Sequence, residues 1–167
     1  IPLIAELVAT PEHITRANTD NRKPSNDAVA KALRDLYDTR LAVAVSGITS
    51  LKTLAATNPE QLQDIIEGCA AFIRDPLHTL DQNGQPNQTV QKAVNLVGAL
   101  KPAAMRVDLS GANLARMHIN KGNFANLICK NCNLSEVVVS EGASFKAGDF
   151  TNAKLARATL KNVDLSQ

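Results

Sequence analysis

Apolar residues recur with two different periods along this chain. Between residues 25 and about 100 they fall three or four positions apart, as in the stripe Val29, Leu33 and Leu36. That spacing places side chains on one face of a helix. From residue 107 onward a bulky apolar residue occupies every fifth position instead. Neither a helix nor a half-buried strand has that period, so the two halves predict different structures.

The first half predicts a set of amphipathic helices. The stretch "SNDAVAKALRDLYD" begins with the capping candidates Ser25 and Asn26. A further helix is expected after Asn58, with Pro59 at its first position, and the last helix is expected to end at Pro102.

These predictions divide the chain into domains. Short connections between amphipathic helices favour a small antiparallel bundle or a HEAT-like pair over residues 25–102. Residues 1–24 are expected to be an N-terminal segment or linker, and residues 103–167 a second domain with its own architecture.

The five-residue series is continuous except for one extra residue in "SEGAS". Its large positions are Leu109, Leu114, Ile119, Phe124, Cys129, Leu134, Val139, Phe145, Phe150, Leu155, Leu160 and Leu165. A smaller residue, such as Ala112 or Ala153, lies two places before most of them. A fixed period of this length is read as a structural repeat before local propensity is considered.

A right-angle turn in each five-residue unit would account for the period. Four units then make one turn of a square coil, and successive turns stack at the spacing of paired strands, about 4.8 Å. The large and small positions point inward and the polar positions outward. Twelve units give about three coils, and the twelve large residues form the interior.

The units "GANLA", "GNFAN", "CNLSE" and "VDLSQ" resemble those of pentapeptide-repeat proteins. That resemblance covers residues 107–167 and implies a right-handed quadrilateral β-helix. The stretch "LAVAVSGITSLKTLAATNPEQLQDIIEGCAAFIRD" is similar to the helical segment that precedes the repeats in many bacterial members. The predicted fold class is therefore mixed: an α-helical N-terminal domain caps an all-β pentapeptide-repeat solenoid of about three coils.

Such a solenoid exposes unpaired backbone and apolar interior at its ends. The helical domain can cover the first coil, whereas Val163 and Leu165 of the last coil are expected to face solvent. That bare end predicts a dimerisation surface, a partner site or a truncation edge.

Charge excludes one function of pentapeptide-repeat proteins, the protection of DNA gyrase by an acidic solenoid that resembles duplex DNA. The chain carries a net charge of +2, and the repeat half is basic, which is the wrong sign for a mimic of phosphate charge. Weak binding of anionic surfaces or nucleic acid is an alternative, although interleaved charge is typical of a solvated face.

The sequence offers little reactive chemistry. Cys129 and Cys132 form a C-x-x-C pair, but no second Cys/His pair completes a zinc site, so both are expected to be small buried side chains. The stretch "DQNGQPNQTVQK" fails as a calcium loop at Pro86 and Lys92 and predicts a polar turn. No catalytic, metal-binding or cofactor-binding residue is predicted, and the chain is not expected to be an enzyme.

The expected function is a non-catalytic scaffold module that binds another protein, with a homodimer through the C-terminal coil as one form of that binding. The alternative is the soluble part of a membrane-associated or secreted bacterial effector whose active or anchoring segment lies outside this chain. Few cysteines and no apolar run of ~20 residues predict a cytoplasmic protein, or one at the cytoplasmic face of the membrane. Because the chain begins at Ile1 without Met, upstream residues are expected to be missing, and a membrane tether would have to lie there.

Overall fold

The computed structural model describes residues 24–167, so nearly all of the predicted segment 1–24 lies outside the described residues. Four α-helices come first: α1 (Pro24–Asp35), α2 (Leu41–Thr57), α3 (Leu62–Arg74) and α4 (Gln88–Leu100), with a short 3₁₀ turn at Pro59–Gln61 before α3. No helix between residues 24 and 167 combines the length and apolarity needed to cross a bilayer.

The helix starts differ in part from those predicted. Helix α1 begins at Pro24, so Ser25 is inside the helix, and the Asn26 side chain accepts a hydrogen bond from Gln61 Nε2 at 2.6 Å instead of serving as a cap. At α4, Asn87 is the cap: its Oδ1 accepts a hydrogen bond from Thr89 N at 2.8 Å. The helix expected after Asn58 begins as the 3₁₀ turn, and the Asn58 side chain makes no capping hydrogen bond there.

Seven strands of two residues each follow the helices. They are β1 (Val107–Asp108), β2 (His118–Ile119), β3 (Gly122–Asn123), β4 (Leu127–Ile128), β5 (Val138–Val139), β6 (Ala143–Ser144) and β7 (Thr159–Leu160). All pairings are parallel, and they form three separate sheets: β1 with β4, β2–β5–β7, and β3 with β6.

Paired residues are separated by a nearly constant number of positions in the sequence. Val107 pairs with Leu127, twenty positions later, whereas Gly122 pairs with Ala143, twenty-one positions later. The longer offset occurs in pairs that span the extra residue predicted in "SEGAS", where Gly142 has a φ of +85°. The chain therefore passes over itself at regular intervals, and we call each passage a turn of the β half.

The predicted fold class was wrong. The described residues form a mixed α/β structure with small, separate parallel sheets of two or three strands, not the all-β quadrilateral β-helix of a pentapeptide-repeat solenoid. The physical reason lies in the backbone. Residues such as Asn126, Asn131, Glu136 and Asn152 have φ values near +60°, and a residue in that left-handed region ends an extended strand. Ladders consequently reach only two residues before the chain turns.

The helical half packs directly on the first turn of the β half. Helix α3 contacts β1, and α4 contacts β2 and β3. Arg74 Nη1 donates to the backbone carbonyl of Asp108 at 2.5 Å. The buried Lys101 Nζ donates to the carbonyls of Pro102 and Ala125, and burial lowers the pKa of this lysine. One apolar core runs through both halves.

Candidate functional site

The large positions of the five-residue series fall into two groups by burial. The first eight are 0–6% exposed: Leu109, Leu114, Ile119, Phe124, Cys129, Leu134, Val139 and Phe145. Phe150 is half-buried, and the last three are exposed, with Leu155 at 46%, Leu160 at 39% and Leu165 at 52%. Interior positions thus become surface positions in the final turn.

The exposed residues surround an open apolar depression of about 590 Å³ at the end of the β half. We call this surface the end face. Its floor includes Val139 and Phe145, and its rim includes Leu155, Leu160 and Leu165. The predicted end residue Leu165 therefore lines the face, while Val163 is half-buried and packs against the core.

Backbone groups at the end face lack the partners that equivalent groups have in earlier turns. Leu109 N donates to Ile128 O at 2.7 Å, and Cys129 N, one turn later, donates to Asp149 O at 2.8 Å. The next equivalent amide, Phe150 N, has no acceptor among residues 24–167. Its donor capacity is left for solvent or for an added strand.

Backbone hydrogen bonds are also missing on the adjoining side of the turn. Leu114 N and Leu134 N donate to the following turn at 2.8 Å each, whereas Leu155 N has no acceptor within the described part of the chain. Carbonyls follow the same pattern: Cys132 O accepts from Lys154 N, but the equivalent Ala153 O accepts from no described residue. The end face therefore offers unpaired donors and an unpaired acceptor around an apolar centre.

Two ion pairs link the last turns of the β half. Arg157 Nη2 lies 2.8 Å from Glu136 Oε1, and Lys130 Nζ lies 3.3 Å from Asp149 Oδ2. Hydrogen bonding to Thr151, by its side chain and its backbone amide, lowers the pKa of Asp149. Asp149 is the one charged side chain among the described residues that line the end face, and the remaining lining is largely apolar.

Cys129 and Cys132 are both fully buried inside the β half. Their sulfur atoms are joined in a disulfide, which the sequence argument did not predict. The third cysteine, Cys69, is free and buried among the helices, and desolvation raises the pKa of its thiol to about 12. None of the three presents a thiolate at a surface.

The loop that echoes a calcium site is a turn. Asp81 Oδ1 accepts hydrogen bonds from the backbone amides of Asn83 at 2.8 Å and Gln85 at 2.9 Å, and Gly84 has a φ of +71°. The carboxylate is thus used within the loop, as in an Asx turn. In the described chain no three His, Cys, Asp or Glu side chains are grouped so that they could hold a metal ion.

No protein-family model matches the sequence, and searches of curated proteins and of solved structures found no significant match. Together with the separate short sheets, this result overturns the resemblance to pentapeptide-repeat proteins.

The sequence predicted only part of the end face. It predicted Leu165 at an exposed end but placed Leu155 and Leu160 in the interior, because the period alone does not say which turn is last. All three lie within the final twenty-one residues. Phe150 N and Leu155 N, within this stretch, have no acceptor among residues 24–167.

Proposed function

We propose that this protein is a non-catalytic binding module that associates with a second copy of itself through the end face. The main support for this proposal is that three exposed leucines and unpaired backbone donors lie on the same surface. Exposed apolar area and unpaired strand edges each favour association. Here both occur together.

A second copy fits the end face because the surface is self-complementary. Phe150 N and Leu155 N need acceptors, and Ala153 O needs a donor. The terminal turn of another copy supplies both kinds of group from the same positions, which is the requirement of an isologous interface. Asp149 is the one charged residue among the described residues that line the end face, and Lys130 Nζ lies 3.3 Å from its Oδ2, so like charges do not dominate the approach of two copies.

The magnitude of the apolar term predicts a weak dimer. Complete burial of a leucine contributes about 1.5–3 kcal/mol, and each of Leu155, Leu160 and Leu165 has roughly half of its surface left to bury. Six such side chains in two copies contribute about 4–8 kcal/mol. Association costs about 4–15 kcal/mol, so a dimer that depends on protein concentration is expected.

Sedimentation equilibrium tests this proposal. The wild-type mass should rise from that of one chain toward that of two between about 5 µM and about 500 µM. The double variant Leu155→Lys/Leu160→Lys should remain monomeric, because it places two charges on the apolar rim. The control Leu77→Lys changes a leucine that is 85% exposed and outside the end face, and it should behave as the wild type does. A wild type that stays monomeric, or a double variant that dimerises equally well, would refute the proposal.

A further inference from the structure

The Cys129–Cys132 disulfide lies in the middle turn of the β half, which we define as residues 127–147. Cys129 occupies a large position and Cys132 a small position of the five-residue series, and both are fully buried. In the first turn the same two positions hold Leu109 and Ala112. The disulfide thus places a covalent link where the turn before it has an ordinary pair of apolar side chains.

The final turn of the β half lies directly on the disulfide. Cys129 N donates to Asp149 O at 2.8 Å, and Lys154 N donates to Cys132 O at 2.9 Å. Asp149 and Phe150, which follow in register with Ile128 and Cys129, both line the end face. A single layer of chain therefore separates the disulfide from the end face.

Two thiols would need more room than the disulfide does. Bonded sulfur atoms lie about 2.0 Å apart, whereas nonbonded atoms in contact lie about 3.5–4.0 Å apart. Beneath the disulfide, Leu109 is buried and the adjoining strand β1 is held by α3. Above it, Phe150 is half-buried and Leu155 is exposed. Separation of the two sulfurs would therefore displace the final turn more readily than the first.

The sulfur of Cys132 faces an acceptor that only a thiol can use. Cys132 Sγ lies 3.1 Å from the backbone carbonyl oxygen of Leu109. A disulfide sulfur has no proton to donate, whereas a thiol is a weak hydrogen-bond donor. The Leu109 oxygen already accepts from Ala112 N at 2.9 Å and has a second lone pair. The reduced state thus loses the crosslink but gains a hydrogen bond, so the folded chain accommodates both redox states.

We propose that the Cys129–Cys132 disulfide is a redox-sensitive crosslink that orders the final turn, and that its reduction loosens the end face and weakens association. The effect on association rests on the proposed function, whereas the effect on the final turn does not. A reductant of the dithiol class supplies the two electrons. One of its thiolates attacks a cysteine sulfur and breaks the S–S bond, its second thiol then closes the reductant's own disulfide, and Cys129 and Cys132 each take up one proton. The final turn covers the sulfurs, so the dithiol reaches them when that turn opens locally.

Amide hydrogen exchange of the full chain, at a concentration where it is monomeric, tests the crosslink. Alkylation of the unfolded protein should count three thiols after dithiol treatment, instead of the single thiol of Cys69 before it. The amides of Asp149 and Lys154, which donate to the middle turn, should then exchange at least about tenfold faster. The amide of Lys101, which donates to Val97 O at the end of α4, should not change.

Two variants show whether the response comes from this disulfide. Cys129→Val/Cys132→Ala supplies a large and a small apolar side chain without a crosslink, and its exchange should not respond to the dithiol. The matched control Cys69→Ala removes the buried free thiol and should respond as the wild type does. The proposal would be overturned by a disulfide that persists in excess dithiol, by unchanged exchange at Asp149 and Lys154 after reduction, or by an equal response of the Cys129/Cys132 variant.

Sedimentation equilibrium of the oxidised and reduced protein separates this proposal from the proposed function. The dissociation constant between copies should rise at least about fivefold on reduction. Equal constants in the two states would overturn the effect on association. A wild type that stays monomeric in both states would refute the proposed function, while faster exchange at Asp149 and Lys154 would still support the crosslink.

Discussion

A Cβ atom placed on Gly98 would lie 2.7 Å from Cε2 of Phe124, so the aromatic ring rests directly on the backbone of α4. Phe124 is 1% exposed and stacks on Phe145, with ring centroids 5.0 Å apart. The junction between the helical half and the β half thus depends on one residue without a side chain and one with a large ring.

Gly98→Ala should destabilise the protein by about 1–3 kcal/mol despite the better helix propensity of alanine, because the added methyl overlaps the ring. Phe124→Leu removes part of that ring and costs stability by itself. The double variant should be less destabilised than the sum of the two changes, as measured by urea unfolding in a double-mutant cycle. Strictly additive effects would show that the ring and Gly98 are not in direct contact.

The buried and exposed ends of the five-residue series should respond differently to truncation. Leu114 is 1% exposed and Leu165 is 52% exposed. Leu114→Ala should cost about 2–5 kcal/mol of unfolding free energy, whereas Leu165→Ala should cost below about 1 kcal/mol. Chemical denaturation of dilute, monomeric protein measures both. Similar losses for the two variants would contradict the placement of the end face.

The left-handed backbone positions allow a stabilising substitution. Ala147 has a φ of +55° and is exposed, a conformation in which alanine is strained and glycine is not. Ala147→Gly should raise the unfolding free energy by about 0.5–1 kcal/mol, and Ala147→Val should lower it. The exposed Ala156 has no positive φ, so Ala156→Gly is the control and should be neutral or destabilising. A loss of stability in Ala147→Gly would argue against the left-handed turn.

Acid should destabilise the β half through carboxylates that accept backbone amides. Hydrogen bonding to Ser110 lowers the pKa of Asp108, and hydrogen bonding to Thr151 lowers that of Asp149. In the folded protein the pKa of each carboxyl lies below its unfolded value of about 3.9. The stability that the ionised carboxylates contribute is therefore complete above about pH 3.9 and is lost as the pH falls through the folded-state pKa.

The variant Asp108→Asn/Asp149→Asn should lose less stability on acidification than the wild type. Asparagine keeps an accepting oxygen without a titrating charge, as Asn133 Oδ1 does for the amide of Ser135 at 3.1 Å. Urea midpoints measured at pH 7 and at about pH 3 supply the comparison. An unchanged acid dependence would mean that other groups control it.

The sequence predicted the elements better than the architecture. Stripes such as Val29, Leu33 and Leu36 indicate helices because a helix buries positions three or four apart. The period of five correctly predicts that Leu109 and Leu114 need the same environment, and both are buried. The inference of continuous β-helix walls failed because apolar spacing does not show where the backbone enters the left-handed region, as it does at Asn131 and Asn152.

The candidate sites were harder to predict for a related reason. Leu165 was expected at an exposed end because it belongs to the last coil of the five-residue series, which no helix was expected to cover. Lys92, Arg116 and His118 line one depression although more than twenty positions separate the first from the other two, and only the packing of α4 against β2 brings them together. No local pattern in the sequence records that contact.

Amide hydrogen exchange, measured at low and at high protein concentration, tests whether two copies associate through the end face. The amides of Phe150 and Leu155 should exchange quickly when the protein is dilute and become protected as concentration rises, while Leu109, already paired, should not change. If exchange at Phe150 and Leu155 does not depend on concentration while the wild-type mass doubles, the two copies associate through another surface and not through the end face.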